Sequence, residues 1–389
     1  MKTSLRAALM LTALGAALPA FAADPVKIGM ITTLSGPAGY LGADIRDGFA
    51  LAMKDGTLGG VPVELMVEDD ALKPGQGRQI AERFMTNEDV KLFTGIVFSN
   101  VAGATVPDIV DNGGFYVSAN AAPSNMAGEE CHENYFAIAW QNDSLHESGG
   151  LVANELGYEN AFILAPNYQA GKDALTGFKR TFKGEIAGEI YTRLDQTDFA
   201  AEMAQIRAAN PAMVYQFHPG GLGIAFMRQY QQAGLLGTIP MVVSEPSLDA
   251  VILKAVGDAA LGINVGSHWN ADFDNEANKT FVAAWEQAYG ADRPITTYAE
   301  QGYEVGLLYA SALEATGGDI ADEDAFREAL RAADFASPRG NFSFGPNQHP
   351  VEDWFALEVV AGPDGTPMLQ TKSKVVENYG DFYSEDCQM

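Results

Sequence analysis

Two hydrophobic patterns alternate along the chain. Short, nearly continuous apolar runs read as strands: KIGMITTL from Lys27, PVELMVED from Pro62, KLFTGIV from Lys91, GFYVSA from Gly114, NAFILAP from Asn160, EIAGEIYT from Glu185, AMVYQF from Ala212, PMVVS from Pro240 and LGINVGS from Leu261. Amphipathic segments lie between them, among them GQGRQIAERFMTNE from Gly75, DSLHESGGLVANELG from Asp143, DALTGFKRTFKG from Asp173, DFAAEMAQIRAANP from Asp198 and GIAFMRQYQQAG from Gly223. Strands alternating with helices of this length predict βαβ units on parallel sheets. Runs that are apolar almost throughout predict strands covered on both faces.

The βα series breaks once. A first series ends near Trp140 and a second runs from Asp143 to about Gly266. Helical segments at 274–289 and 297–316 follow, then DEDAFREALRAA from Asp322, then strands joined by turns, one of them Pro-Asp-Gly from Pro363. The expectation is an α/β protein of two lobes that later segments return to complete. Lobe 1 takes residues 23–141 and 271–345, lobe 2 takes 142–270 and 346–375, and a tail of 376–389 is tied to lobe 1.

Residues 1–22 stand apart. Lys2 and Arg6 precede an apolar run, and Pro19-Ala20-Phe21-Ala22 offers an Ala-x-Ala cleavage site. This pattern predicts a secretory signal peptide removed after Ala22, and hence a periplasmic protein. No later run approaches the length of a membrane span. The net charge of −27 argues against nucleic acid and anionic membranes as partners, since both would repel the chain. There are two cysteines, Cys131 and Cys387. An even count in an exported protein predicts one disulfide, which would pin the tail to a loop of the first half.

Candidate chemistry gathers at the strand ends. After the first strand come Gly36, Gly39 and Gly42, spaced G-x-x-G-x-x-G. The close first pair of a dinucleotide fingerprint is missing, and no P-loop occurs. A helix start facing the carboxyl end of a sheet still suits a carboxylate. Open α/β sheets bind ligands at that edge. Ser35 and Tyr40 in the first turn are therefore candidates. Ser99 and Asn100 follow the third long strand, and Ser118, Ala119 and Asn120 follow the fourth. Hydroxyls and bare amides at successive strand ends suit a zwitterion or a carboxylate, and the same groups can cap helices.

The opening KIGMITTLSGPAGYLGADIRDGFALAMKD, the block TDFAAEMAQIRAANPAMVYQF, the following GLGIAFMRQYQQAGL and the order of blocks between and after them resemble the leucine/isoleucine/valine-binding proteins of ABC importers. The resemblance covers essentially the whole chain after the signal segment. It implies a type I periplasmic binding fold: two Rossmann-like lobes with parallel sheets flanked by helices, a three-crossover hinge, and a cleft that closes on the ligand. It also implies a small-molecule ligand, an inner-membrane permease as partner, a monomer and no cofactor. By resemblance Ser99 and the groups at Ser118, Ala119 and Ala121 take the ligand carboxylate. Tyr40 covers the ligand, Tyr168 lines the second lobe, Glu245 receives an ammonium group, and Tyr303 adds an aromatic wall. Phe217 and His218 depart from the family, which has glycines and aromatics there. They suit either a narrowed site for a small amino acid or a flat aromatic acid bound by stacking and a hydrogen bond.

Enzyme signatures are missing: neither H-E-x-x-H nor G-x-S-x-G occurs, and the histidines at 132, 146, 218, 268 and 349 lack metal-ligand spacing. The expected role is a binder, not an enzyme, that captures a branched-chain or related amino acid. The alternatives are the same role for a benzoate- or cinnamate-type acid, and a ligand sensor feeding a receptor.

Overall fold

A computed structural model describes residues 24–389. The expected signal peptide lies outside the described residues. Lobe 1 opens with β1 (Val26–Thr32), α1 (Gly39–Ala52), β2 (Thr57–Leu58), β3 (Val61–Asp69), α2 (Pro74–Asn87), β4 (Leu92–Thr94), α3 (Ser99–Asp111), β5 (Phe115–Ser118), α4 (Ser124–Ala127) and β6 (Tyr135–Ala137). Lobe 2 opens with α5 (Asn142–Glu155), β7 (Asn160–Pro166), α6 (Gln169–Thr181), β8 (Glu185–Thr192), α7 (Ala200–Ala209), β9 (Met213–Gln216), α8 (Gly221–Gln232), β10 (Met241–Ser244), α9 (Ala250–Val256) and β11 (Asn264–Ser267). The returning segments are α10 (Glu276–Tyr289), α11 (Thr297–Thr316), α12 (Glu323–Ala332), β12 (Phe342–Phe344), β13 (Pro350–Ala361) and β14 (Pro367–Tyr379).

The sheets run β2-β3-β1-β4-β5-β6 and β12-β13-β11-β10-β9-β7-β8, with β14 on the other edge of β13. Pairing is parallel except at β2 and at the β12–β14 additions. The central strands are fully buried because helices cover both faces, so their patterns look continuous rather than alternating. Each lobe has its own core, with Phe49, Phe93, Tyr116 and Tyr309 in one, and Phe199, Phe226, Tyr230 and Val265 in the other.

Lobe 1 draws α11 tightly onto α1. A side chain on Gly48 would strike the Ala299 carbonyl, and one on Gly302 would strike that of Ile45, so the two glycines let the backbones meet. The first turn uses glycine likewise. A Cβ on Gly39 or Gly42 would collide with the Leu34 or Thr33 carbonyl, and Gly36 adopts φ +73°. This turn is shaped by close strand–helix packing.

Two boundaries differ from expectation. β12 pairs with β13, register Phe342 to Glu352, so the last crossing into the lobe 2 sheet precedes Phe342 instead of following residue 345. The boundary was blurred because Phe344 still packs edge-on to Phe136 of lobe 1, centroids 5.4 Å apart. β14 runs to Tyr379, past the expected tail start at 376. Its lysines and threonines disguised it: it is a largely exposed edge strand, where charge discourages further pairing. The tail proper then crosses back, and Cys387 is bonded to Cys131, Cα atoms 5.6 Å apart. On the way Tyr383 donates to Asp143 of α5, 2.9 Å, and Phe382 lies under the Arg180 guanidinium of α6. The tail thus touches both lobes.

All three crossings converge on Arg339, which is 3 % exposed. It donates to the Ala139 carbonyl of the first crossing (2.9 Å), to Glu352 of β13 (2.6 Å) and to Glu304 of α11. Glu300 lies 3.7 Å away and meets His268 of the second crossing at 3.4 Å. Three buried carboxyls share one guanidinium, too little positive charge to ionise all three. Burial pushes Glu304 and Glu352 up to about 8 and Glu300 to about 6, against the pull of Arg339.

Two outcomes follow. Arg339→Leu should lower the unfolding free energy by roughly 3–5 kcal/mol, because it strands buried carboxyls, with a larger loss at pH 8 than at pH 5 in urea unfolding. Glu304 and Glu352 keep protons in the folded chain that the unfolded chain loses near its ordinary value of 4.5. Their stabilising effect is complete below about pH 4.5 and disappears as pH passes about 8. The melting temperature should therefore fall between pH 7 and pH 9, above the histidine range, and Glu352→Gln should flatten that fall. An equally steep fall in the variant would remove Glu352 as a cause.

Candidate functional site

The carboxyl ends of the two sheets face each other across a closed cleft. Tyr40 of α1 donates to Asp249, the residue capping α9, at 2.6 Å. Ser124 of α4 donates to Asp173 of α6 at 2.8 Å. A side chain on Gly221 would strike Pro37. These contacts all run from lobe 1 to lobe 2.

Between them lies a small pocket. Lobe 1 contributes Val97, Phe98, Ser99, Asn120 and Ala121, with Tyr298 from the start of α11; Trp140 and Asn142 come from the first crossing and the start of α5; lobe 2 adds Leu145, His146, Tyr168, Ala170, Phe217, Pro219 and Pro246. Aromatic faces dominate. Tyr168 and Phe217 stack with planes 13° apart and centroids at 6.5 Å, and Phe98 tilts against Tyr168 at 6.3 Å.

Every lining residue is uncharged at neutral pH. Ser99 stands at the start of α3, where the helix offers free amides. Its Oγ accepts from Asn142 Nδ2 at 3.1 Å, which leaves its own proton to donate. Asn142 also donates to Asp173 at 2.9 Å and accepts from the Ala122 amide at 3.2 Å, so its orientation is set on three sides. Asn120 donates to the Val97 carbonyl at 2.6 Å, and its buried Oδ1 has no partner. His146 Nδ1 lies 2.6 Å from the Tyr215 hydroxyl. Burial lowers His146 to about 3, so the ring is neutral.

Of the residues expected at the site, Ser99, Asn120, Tyr168 and Phe217 meet here, with Ala121 beside them. The others stand elsewhere. Ser35 is exposed and bonded to Asp69. Tyr40 is spent on the interlobe bond to Asp249. Asn100 lies one residue along α3, outside the lining. Ser118 turns inward and donates to the Ala121 carbonyl at 2.7 Å, closing the turn, while Ala119 is in the lobe 1 core. His218 faces the lobe 2 interior. Both its nitrogens are taken, by Thr192 at 3.0 Å and Gln216 at 2.8 Å, and it stacks on Phe226. The cause is strand alternation: Phe217 and His218 are consecutive, so only one can face the cleft. Glu245 is buried beside Asp249, outside the lining, and its Oε2 has no partner; burial and then Asp249 raise its pKa, so it holds its proton more tightly than an ordinary glutamate. Tyr303 stacks on Phe281 of α10, at 5.0 Å.

Sequence reasoning missed Trp140, Asn142, His146 and Tyr298. Trp140 and Asn142 fell at the lobe boundary, and His146 was one of five dispersed histidines. The available signal was a polar cluster, Gln141 to Ser144, opening a helix just after a strand end.

A curated relative of Brucella melitensis, named Leu/Ile/Val-binding protein homolog 6, is 27% identical to this chain over 92% of it and 93% of its own length. An ABC transporter solute-binding protein from R. palustris, solved in complex with benzoate, superposes with TM-score 0.88 at 28% identity, covering 94% of this chain and 100% of that one. A second from R. palustris, in complex with 4-hydroxybenzoate, gives TM-score 0.84 at 26% identity over 92% and 99%. The two-lobed fold, the pocket between facing strand ends, and a family profile that matches residues 25–365 together show that this chain belongs to the periplasmic binding protein family.

Proposed function

We propose that this protein captures a small aromatic carboxylic acid, of the benzoate type, in the interlobe pocket and delivers it to the permease of an ABC importer. The observation that carries the proposal is the lining itself: aromatic faces with neutral donors and no carboxylate. An amino acid would need a partner for its ammonium group, and burying that charge unpaired is costly. Glu245, the expected partner, lies outside the lining and holds its proton more tightly than an ordinary glutamate. A carboxylate is better served, by the Ser99 hydroxyl, which Asn142 orients, and the opening amides of α3. Phe98, Tyr168 and Phe217 would hold the ring. The two R. palustris proteins bound to benzoates support the reading. The name of the Brucella relative favours the second reading, a branched-chain amino acid in the same pocket.

In this reading the chain works in the periplasm as a monomer after loss of residues 1–22. The ligand touches both lobes and so binds the closed form better than the open one. That difference in affinity, with the Tyr40–Asp249 and Ser124–Asp173 pairs, sets the closed population. Closure would then join the faces that the permease reads.

After unfolding and refolding to strip carried-over ligand, benzoate should raise the melting temperature by mass action, and leucine should not. Calorimetry should show Ser99→Ala weakening benzoate binding about tenfold or more, the worth of one charge-assisted hydrogen bond. Stabilisation by leucine alone would replace the aromatic reading with the amino-acid one.

A further inference from the structure

His146 is a buried polar residue that neither the fold nor the cleft closure requires. It lies on α5 with 1 % exposure, and its ring meets Phe217 edge-on, centroids 4.6 Å apart. Nδ1 is taken by the Tyr215 hydroxyl at 2.6 Å. Tyr215 is itself fully buried, stacked on Phe178 at 4.1 Å and pressed by Gly149, so the pair cannot swing away. His146 lines the pocket, and Nε2 is the ring nitrogen left to face it. A buried polar atom without a partner costs free energy until something binds it.

We infer that His146 is a specificity-determining residue that selects aromatic acids bearing a ring hydroxyl, its Nε2 bonding that hydroxyl while the carboxylate lies at the Ser99 end. This rests on the aromatic-acid reading above. The carboxylate end is already furnished by Ser99 and the start of α3. Inside the lining the His146 ring meets the apolar face of Phe217, with Leu145 beside it in sequence. A hydroxyl suits this place in either tautomer: it can accept from Nε2–H or donate to a bare Nε2. A ring hydrogen does neither and leaves the imidazole unpaired. The ring stays neutral near pH 7, since burial holds it at about 3, so it offers no charge to a second carboxylate. Tyr215 is a positioning residue: it sets the tautomer and the ring plane without touching the ligand.

The test compares benzoate with 3- and 4-hydroxybenzoate by calorimetry. The native protein should bind one hydroxybenzoate at least about tenfold more tightly than benzoate, the worth of one buried hydrogen bond. His146→Phe alone would strand the Tyr215 hydroxyl, so it is made together with Tyr215→Phe. The double variant should lose the hydroxyl preference, binding benzoate and the two hydroxybenzoates with affinities within about threefold of one another. A measurement on the native protein guards against misfolding of the variant: the 15N resonance of His146 Nε2 should move with the preferred hydroxybenzoate and stay in place with benzoate. Equal affinity of the native protein for all three acids would overturn the inference and leave the aromatic reading standing. Parallel loss of benzoate and hydroxybenzoate in the double variant would also overturn it, by putting the carboxylate at His146. Binding of none of the three acids would remove both.

Discussion

Arg339 sits where the three interlobe segments pass one another, and it meets each of them away from water. The geometry of the cleft depends on it. Its guanidinium bonds the first crossing at Ala139, and through Glu300 it is tied to His268 of the second, while its own backbone forms part of the third. A planar five-donor group can serve several acceptors at fixed angles, which a lysine ammonium cannot do as well. The surplus of carboxyls around it has a cost, met by keeping protons on the glutamates. The three crossings thus meet in one compact, buried centre between the two sheets.

From that centre the cleft inherits its character. The hinge places Trp140 and Asn142 at the back of the pocket, and the two sets of strand ends supply its sides. Charge is consistently kept out of the lining. Asp173 is engaged by Asn142, Ser124 and Gln169, and Asp249 by Tyr40. These carboxyls serve closure rather than ligand contact. The pocket itself presents neutral donors and aromatic faces, a combination that lowers the cost of burying a carboxylate beside a flat ring.

The displaced candidates share a physical cause. The resemblance places Tyr40 and Tyr303 at the ligand, but each side chain is directed by a tertiary partner on another element, Asp249 and Phe281 respectively. The glycines of the first turn were weighed as a ligand cradle and as a packing device. Close contact with the Leu34 and Thr33 carbonyls accounts for Gly39 and Gly42. Ser118 was expected to face the ligand, but its hydroxyl closes its own turn on Ala121, as short polar side chains at strand ends commonly do.

Sequence alone determined what is local or periodic in this protein. The alternation of buried strands with amphipathic helices, the break between two βα series near Trp140, the placement of Ser99 at a strand end and the pairing of the two cysteines were all readable, because each follows from hydrophobic period, turn chemistry or counting. The tertiary structure alone decided which side of each strand end faces the cleft. It brought Asn142, His146 and Tyr298 together with Ser99, turned His218 and Glu245 away, and gathered Arg339 with Glu300, Glu304 and Glu352. Such arrangements depend on contacts between separate elements, and a one-residue change of register reverses them, so no local pattern records them.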